Sequence, residues 1–404
     1  MKLPKLTVFF SHILLAFMGA YPLAAQQPNY DVTALNFDGV NDYVQAPNGA
    51  VTVAGLSNGT SAFYTMQAFV KFDAIAATGY KIIMYNGNSA SNGWGLYTYN
   101  GKLSVIVGGK AQYNTTSFTP VTGKWYHVAL KLNLARDGNG TYYGAYSVWV
   151  DGVNITPVGP NGASFYIITN AGLGGVLNAP AATESFFIGG RSGAENLAAT
   201  IDQVSVIKSD NNNNYDAGCL LSPSASLLKY YTFAEGVING NNVGKTVTDR
   251  SGNGKTGNLV NFTLTDPTGI SNYTSGVVSI GSNTRIYVNK NATGTNTGES
   301  WANAMTNLSD ALAVTCSQSN HEIWMAEGTY KPDRDWYGAD NGRKNTFYIK
   351  SNVKIYGGFM GSETSLAERM PGHNTLLSGN LGDESTAEDN SYHVMFVRDG
   401  LSSV

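Results

Sequence analysis

From Asp31 to about Lys208, apolar and polar positions alternate in short runs separated by Gly, Asn and Asp. The runs fall at 34–37, 66–70, 81–85, 103–107, 125–130, 146–150, 186–189 and 201–206. A period of two over four to eight residues marks a strand with one buried face. Turn signals such as Asn100-Gly101 and Asp151-Gly152 punctuate the runs, and no helical period interrupts them. Many short strands joined in this way predict an antiparallel jelly-roll β-sandwich over 26–208.

The pattern loosens after the polar run 211–214. Apolar stretches at 227–234 and 246–248 are too few for a second sandwich, so 209–282 reads as a strand-containing connector. A different texture starts at Arg285-Ile286-Tyr287-Val288, which predicts a strand. Trp301, Ala304, Met305, Leu308, Ala311, Leu312 and Thr315 then fall at helical spacing, with Ser300 or Asn307 available as N-cap. Strand-like runs return at 322–325, 352–358, 375–379 and 392–397. The last three lie about 20 residues apart, a spacing that suits a stacked parallel solenoid. Such a fold needs several repeats and a closing cap, so 283–404 is expected to be the first part of a longer solenoid.

Composition supports the all-β reading. Charged residues make up 13% of the 404, whereas Gly (47) and Tyr (24) are frequent. Surface helices usually carry more Glu and Lys than this. The formal charge of −3 comes with no dense Lys/Arg cluster, which argues against nucleic acid as a partner. Lys2 and Lys5, an apolar stretch over 6–20 and the small pair Ala24-Ala25 predict a cleavable signal peptide at 1–25. No later run approaches membrane length, so the expectation is a secreted or cell-surface protein with no transmembrane segment. Of the two cysteines, Cys219 and Cys316, a bond would have to join different modules, and sequence supplies no geometry for it.

Five segments in order resemble laminin-G-like domains of the concanavalin A-like lectin/glucanase jelly-roll class. They are Ala34-Leu35-Asn36-Phe37-Asp38-Gly39-Val40-Asn41-Asp42-Tyr43-Val44, Gly123-Lys124-Trp125-Tyr126-His127-Val128-Ala129, Val148-Trp149-Val150-Asp151-Gly152, Ile188-Gly189-Gly190-Arg191 and Ile201-Asp202-Gln203-Val204-Ser205-Val206. Gln203 departs from the acidic residue common there. Further on, 300–304, 310–312, 322–332 and 355–359 resemble the N-terminal cap and first coils of pectin-lyase-like right-handed parallel β-helices. Both kinds of module occur in multi-module bacterial surface proteins.

The resemblance implies that the first and last sandwich strands are neighbours, which would bring Asp38 and Asp42 towards Asp202. Oxygen donors converging at a rim can hold Ca²⁺ in a structural role. The alternative is that Asp38 and Asp42 bond only their own turn. A smaller oxygen group, Asp249, Ser251 and Asn253, reads as a turn. Ligand binding would use aromatic faces against sugar rings. The candidates are Trp94, Tyr97 and Tyr99, with the two tyrosines on one strand face and Trp94 on the other, and a second group at Tyr142 and Tyr143. His127 reads as a structural histidine. The carboxylates and Arg334 near 333–335, and the acidic residues at 383–389, show no paired arrangement for glycoside cleavage.

The sequence thus predicts a non-enzymatic binding or adhesion protein, the sandwich taking polysaccharide, other glycan or an extracellular protein, with calcium. Two alternatives stay open. One is a carbohydrate-active enzyme, lyase or glycoside hydrolase, whose catalytic part sits on a longer β-helix. The other is an architectural cell-envelope protein.

Overall fold

The structure is a computed structural model. It describes residues 30–47, 57–87, 92–107, 110–114, 118–136, 138, 142–151, 153–157, 166–168, 183–191, 195–209, 221, 224–235, 246–262, 273–281, 284–315, 320–335, 340–350 and 352–397. The segment 1–25, the run 211–214 and both cysteines lie outside these residues.

The first strands in chain order are β1 (Tyr30–Asp38), β2 (Tyr43–Ala46), β3 (Ser61–Phe72), β4 (Tyr80–Asn86), β5 (Trp94–Tyr99), β6 (Lys102–Val107), β7 (Lys110–Asn114), β8 (Trp125–Arg136) and β9 (Tyr142–Val150). There follow β10 (Val153–Asn154), β11 (Tyr166–Ile168), β12 (Phe186–Ile188), β13 (Ala198–Ser209), β14 (Leu227–Tyr231), β15 (Thr246–Val247), β16 (Gly257–Val260) and β17 (Tyr273–Ile280). One sheet runs β10-β9-β8-β3-β13-β1-β17, with β11 on β9 and β14 on β13. The other runs β15-β16-β2-β12-β4-β5-β6-β7. Their pairings are antiparallel, as the alternating pattern predicts.

The two inner faces make one core. β3 and β8 align without a slip from Ser61↔Ala135 to Lys71↔Trp125. Period two then turns Tyr64, Met66, Val70 and Phe72 inward beside Val128, Leu130 and Leu132. They meet Trp94, Leu96, Val105, Phe186 and Ile188 of the opposite sheet. Burying one such side chain is worth roughly 1.5–3 kcal/mol. Gly189 sits where the core comes closest to the backbone. Its φ is +77°, and a Cβ there would lie 2.1 Å from the ring of Phe37. No L side chain fits that place without moving the ring.

The segment read as a connector belongs to the sandwich. β14 pairs with β13, β16 with β2 and β17 with β1. Tyr231, Phe233, Val247 and Phe262 pack in the same core. Each strand is short, but each finds an open edge of an existing sheet.

In the C-terminal part the strands are β18 (Arg285–Val288), β19 (His321–Ala326), β20 (Gly328–Tyr330), β21 (Phe347–Ile349), β22 (Val353–Phe359), β23 (Thr375–Leu377) and β24 (Met395–Val397), with helix α1 (Leu308–Val314) between β18 and β19. They form three small parallel sheets, β18-β19-β22, β20-β23 and β21-β24. From β19 onward the chain visits the three sheets in the same order twice. The runs spaced about 20 residues apart therefore occupy different sheets; the step between partners in one sheet is longer, as in Gly328↔Thr375.

A second core of Ile286, Val288, Ile323, Met325, Phe347 and Ile349 fills the space between these sheets, closed by Leu308, Ala311 and Leu312 of α1. The helix is shorter than the apolar spacing predicts. Asn307 caps it, its side-chain oxygen accepting from the Ser309 N–H at 2.8 Å. Met305, before the cap, bridges to Val288 instead. Gly357 and Gly358 lie inside β22, where the register slips between Trp324 and Ala326. No helix among the described residues is long and apolar enough to cross a membrane.

Candidate functional site

The link between β1 and β2 forms a tight rim turn. Asp38 Oδ1 accepts from the N–H groups of Val40 at 2.7 Å and Asn41 at 3.3 Å, which is the turn-bonding role left open by the sequence. Asp42 differs. It is 2% exposed. Its Oδ2 accepts from the Asp38 N–H at 3.3 Å, and its Oδ1 has no partner among the described residues. Burial, then the charge of Asp38, pushes its carboxyl up to about 7, only partly offset by that backbone bond.

A residue that no motif singled out completes the turn. Asn196, 5% exposed, donates from Nδ2 to the Val40 carbonyl at 2.7 Å, while its Oδ1 has no partner among the described residues. At Gly190 the backbone comes close to these groups. A Cβ there would stand 2.3 Å from Asn196 Oδ1 and 3.1 Å from the Asp42 carbonyl oxygen.

Asp202 lies elsewhere. β1 and β13 do pair, but Asp38 faces Ala198, whereas Asp202 faces Phe69 across β3. Four residues of strand separate them, about 13 Å. Asp202 is fully buried and its Oδ1 accepts from the Gln203 N–H at 2.7 Å. Gln203 has φ +51° at a bulge that reverses the in/out phase of β13. Among the described residues no three His, Cys, Asp or Glu side chains gather as a metal site.

The aromatic candidates separate by face. Trp94 points inward and is part of the main core. Tyr97 and Tyr99 are on the outward face of the eight-stranded sheet. Tyr97 is buried, and its hydroxyl donates to the Val105 carbonyl at 3.0 Å. Tyr99 is half-buried and stacks on Tyr80, opposite it in β4, with centroids 4.5 Å apart. Along the same face Tyr43, Ile82, Tyr85 and Phe187 form a cluster.

Polar groups rim that cluster. The Arg191 guanidinium lies 5.5 Å from the Tyr85 ring and pairs with Glu195 at 2.8 Å. Asn92 Nδ2 donates to both oxygens of Glu184 at 3.0 and 3.1 Å, and the Tyr85 hydroxyl donates to the Asn92 carbonyl. Burial raises the phenols of Tyr85 and Tyr97, so both stay protonated donors. Tyr142 and Tyr143 pair with Arg136 and Ala135 in β8; their side chains lie outside the described residues.

Other singled-out groups serve the fold. His127, buried with its ring 4.8 Å from that of Phe69, is lowered to about 3 by burial and is neutral at ordinary pH. Asp249 accepts three backbone N–H bonds, from Tyr230, Ser251 and Lys255, and so builds a turn. Arg334 clamps Asp333 and Asp310 at 2.9 and 2.7 Å, tying the loop after β20 to α1. Asp383 accepts from both the N–H and the hydroxyl of Ser385. Ser57 sits between Gly55 and Gly59 at the spacing of a nucleophile elbow. It leads into the antiparallel strand β3 and not into a helix, so that spacing carries no chemistry here.

Neither protein-family profiles nor curated proteins match the chain. Among solved structures, the chain is similar to a candidate carbohydrate-binding protein from Bacteroides ovatus ATCC 8483, with 19% identity and TM-score 0.36 over 58% of this chain and 59% of that one. It is also similar to domains LG4-5 of the mouse laminin alpha1 chain, with 16% identity and TM-score 0.26 over 43% and 41% of the two chains. The endo-beta-1,4-glucuronan lyase of the fungus Trichoderma reesei aligns at 15% identity and TM-score 0.24, over 43% of this chain and 78% of that one. The chain thus matches less than two thirds of the Bacteroides ovatus protein's length.

Proposed function

We propose that the protein is an extracellular binding protein whose sandwich holds a glycan, and that it acts by adhesion and not by catalysis. The observation that carries this reading is the outward aromatic face of the eight-stranded sheet. There the half-buried pair Tyr80 and Tyr99 stacks beside a cluster of Tyr43, Tyr85 and Phe187 whose rings are buried and back it, with Arg191, Glu184 and Asn92 around it. Flat rings suit the apolar faces of sugars, and fixed polar side chains suit their hydroxyls. Trp94 takes no part, because its ring is in the core.

The three parallel sheets, entered twice in the same order, support a parallel β-helix that would project the sandwich from a cell surface. The signal-like start of the chain fits export.

The test is thermal unfolding of the chain with a panel of plant and microbial polysaccharides, in chelator. A ligand of the native state raises the midpoint by mass action. The proposal expects a rise with at least one glycan, lost in Tyr80→Ala and Tyr99→Ala. A flat response to every glycan, or a rise that survives both substitutions, would overturn it.

A further inference from the structure

We propose that the open end of the C-terminal coils, formed by β22, β23 and β24, is a docking surface for a second copy of this chain, which meets it through the same end. The surface is separate from the glycan face, so the inference goes beyond the function proposed above.

Burial is lost from one coil to the next while the residues stay apolar. Ile323 is fully buried, but Ile355, its partner in β22, is half-buried. Tyr330 is buried and its partner Leu377 is half-buried. Phe347 and Ile349 are buried, whereas their partners Met395 and Val397 are exposed. The second coil thus covers the first and keeps its apolar character without a like cover of its own. Of ten exposed large apolar side chains among the described residues, seven lie between residues 360 and 397. Such a concentration marks a contact surface.

The backbone points the same way. Among the described residues β22 pairs only with β19, β23 only with β20 and β24 only with β21, so all three present an unpaired edge on one side. Proteins protect edges of this kind with charge, proline or a covering element. The edge strands hold seven, three and three residues; none is proline, and Lys354 alone is charged. A solenoid end that stays in water is polar, and these strands are not.

The other end of the same core decides the occupant. There α1 lays Leu308, Ala311 and Leu312, all buried, against β18 and β21. A second copy finds no open layer on that side, so head-to-tail growth is blocked. Two like ends can meet about a two-fold axis, which closes the pair. With the axis crossing β22, that strand lies antiparallel to its own copy, and β23 lies antiparallel to the partner's β24. The lengths agree, seven with seven and three with three. Antiparallel pairing satisfies the edge N–H and C=O groups, and the apolar layers of the two copies close one core. The ladders that join the two coils are thereby continued by one layer.

The experiment is sedimentation equilibrium of the full chain over a dilution series, without glycan. The expected result is a monomer–dimer equilibrium with no larger species. Leu376→Lys and Val397→Lys each place a charge where the side chain is 56% exposed in a single copy. Each should leave the monomer folded and weaken association roughly tenfold or more. Val40→Lys, on the sandwich rim, should associate as the wild type does. Amides of 375–377 and 395–397 should gain protection from hydrogen exchange as concentration rises, and those of β3 should not. Circular dichroism and unfolding midpoints of each variant separate loss of the surface from loss of the fold. A monomer throughout the series overturns the proposal. So does association that runs past the dimer, or a dimer that survives both lysine substitutions. Mass is read without glycan, and the glycan response is read in the folded Leu376→Lys chain, so the two proposals fail separately.

Discussion

The ammonium of Lys229 donates to the carbonyl of Pro47 at 3.1 Å, a bond that crosses from β14 in one sheet to the end of β2 in the other. Lys229 is 1% exposed and its Nζ lies 5.7 Å from the Phe186 ring. Burial lowers its pKa to about 8, with Asp249 opposing and Lys255 adding to the shift.

That shift has a measurable sign. Below pH 8 the lysine is charged both folded and unfolded, and the folded state carries the whole desolvation cost. Between pH 8 and the ordinary lysine value the unfolded chain holds more protons, so stability rises with pH. In Lys229→Met this alkaline rise should vanish. At pH 7 the variant should be more stable by about 1–2 kcal/mol, the removed charge cost being partly offset by the lost hydrogen bond. Urea unfolding at pH 7 and pH 10 checks both statements.

Gly189→Ala should be among the most damaging single-atom additions. It places a methyl against the Phe37 ring and holds alanine at positive φ. Strain and overpacking together amount to about 2–4 kcal/mol. Chemical denaturation of this variant beside Gly59→Ala, which shares φ +77° but whose added methyl meets nothing within 4 Å, isolates the contact from the backbone strain.

Trp94→Ala and Tyr99→Ala should separate packing from recognition. Removing the core indole costs about 3–5 kcal/mol, whereas truncating the half-buried tyrosine should cost about 1 kcal/mol or less. Any glycan response lost in Trp94→Ala would thus follow from unfolding. Midpoints without ligand settle the comparison.

A fragment ending at residue 208 should lose cooperative unfolding, whereas one ending at residue 282 should keep it. The shorter fragment lacks Tyr231, Phe233, Val247 and Phe262 and leaves β1 and β2 with open edges. Calorimetric scans of both fragments read this directly.

Asn307→Ala should destabilise the C-terminal core by about 1 kcal/mol through loss of the cap. Hydrogen exchange at Ser309 and along α1 should speed up, with β3 and β8 unchanged.

Alternation along the chain was enough to place the sandwich strands and to put Trp94 and Tyr97 on opposite faces, because side-chain direction is a local property. Strand partners are not local. Tyr30 pairs with Ile280 and Asp38 with Ala198, and nothing in the spacing of either run names the other. The short runs at 227–231 and 257–260 looked too sparse for a sheet when considered alone; they hold because edges 20 to over 200 residues away were waiting for them. One clue to the misplaced Asp202 was present. Ile201, Val204 and Val206 break a strict period of two, which is the trace of the bulge at Gln203. Asn196 left no trace, since a lone asparagine before a strand is common and its value arises only where Val40 and Gly190 come near.

The pairing of β1 with β17 has a mechanical consequence. Tyr30, at the start of β1, stands opposite Ile280, at the end of β17, so the sandwich opens and closes its chain at the same end of one antiparallel ladder. Tension applied between residues 30 and 281 would load that ladder bond by bond from its end, and not all bonds together in shear. A protein anchored through one end and pulled through the other would therefore yield first by peeling β17 from β1, at low force, while the β3–β8 centre stayed folded.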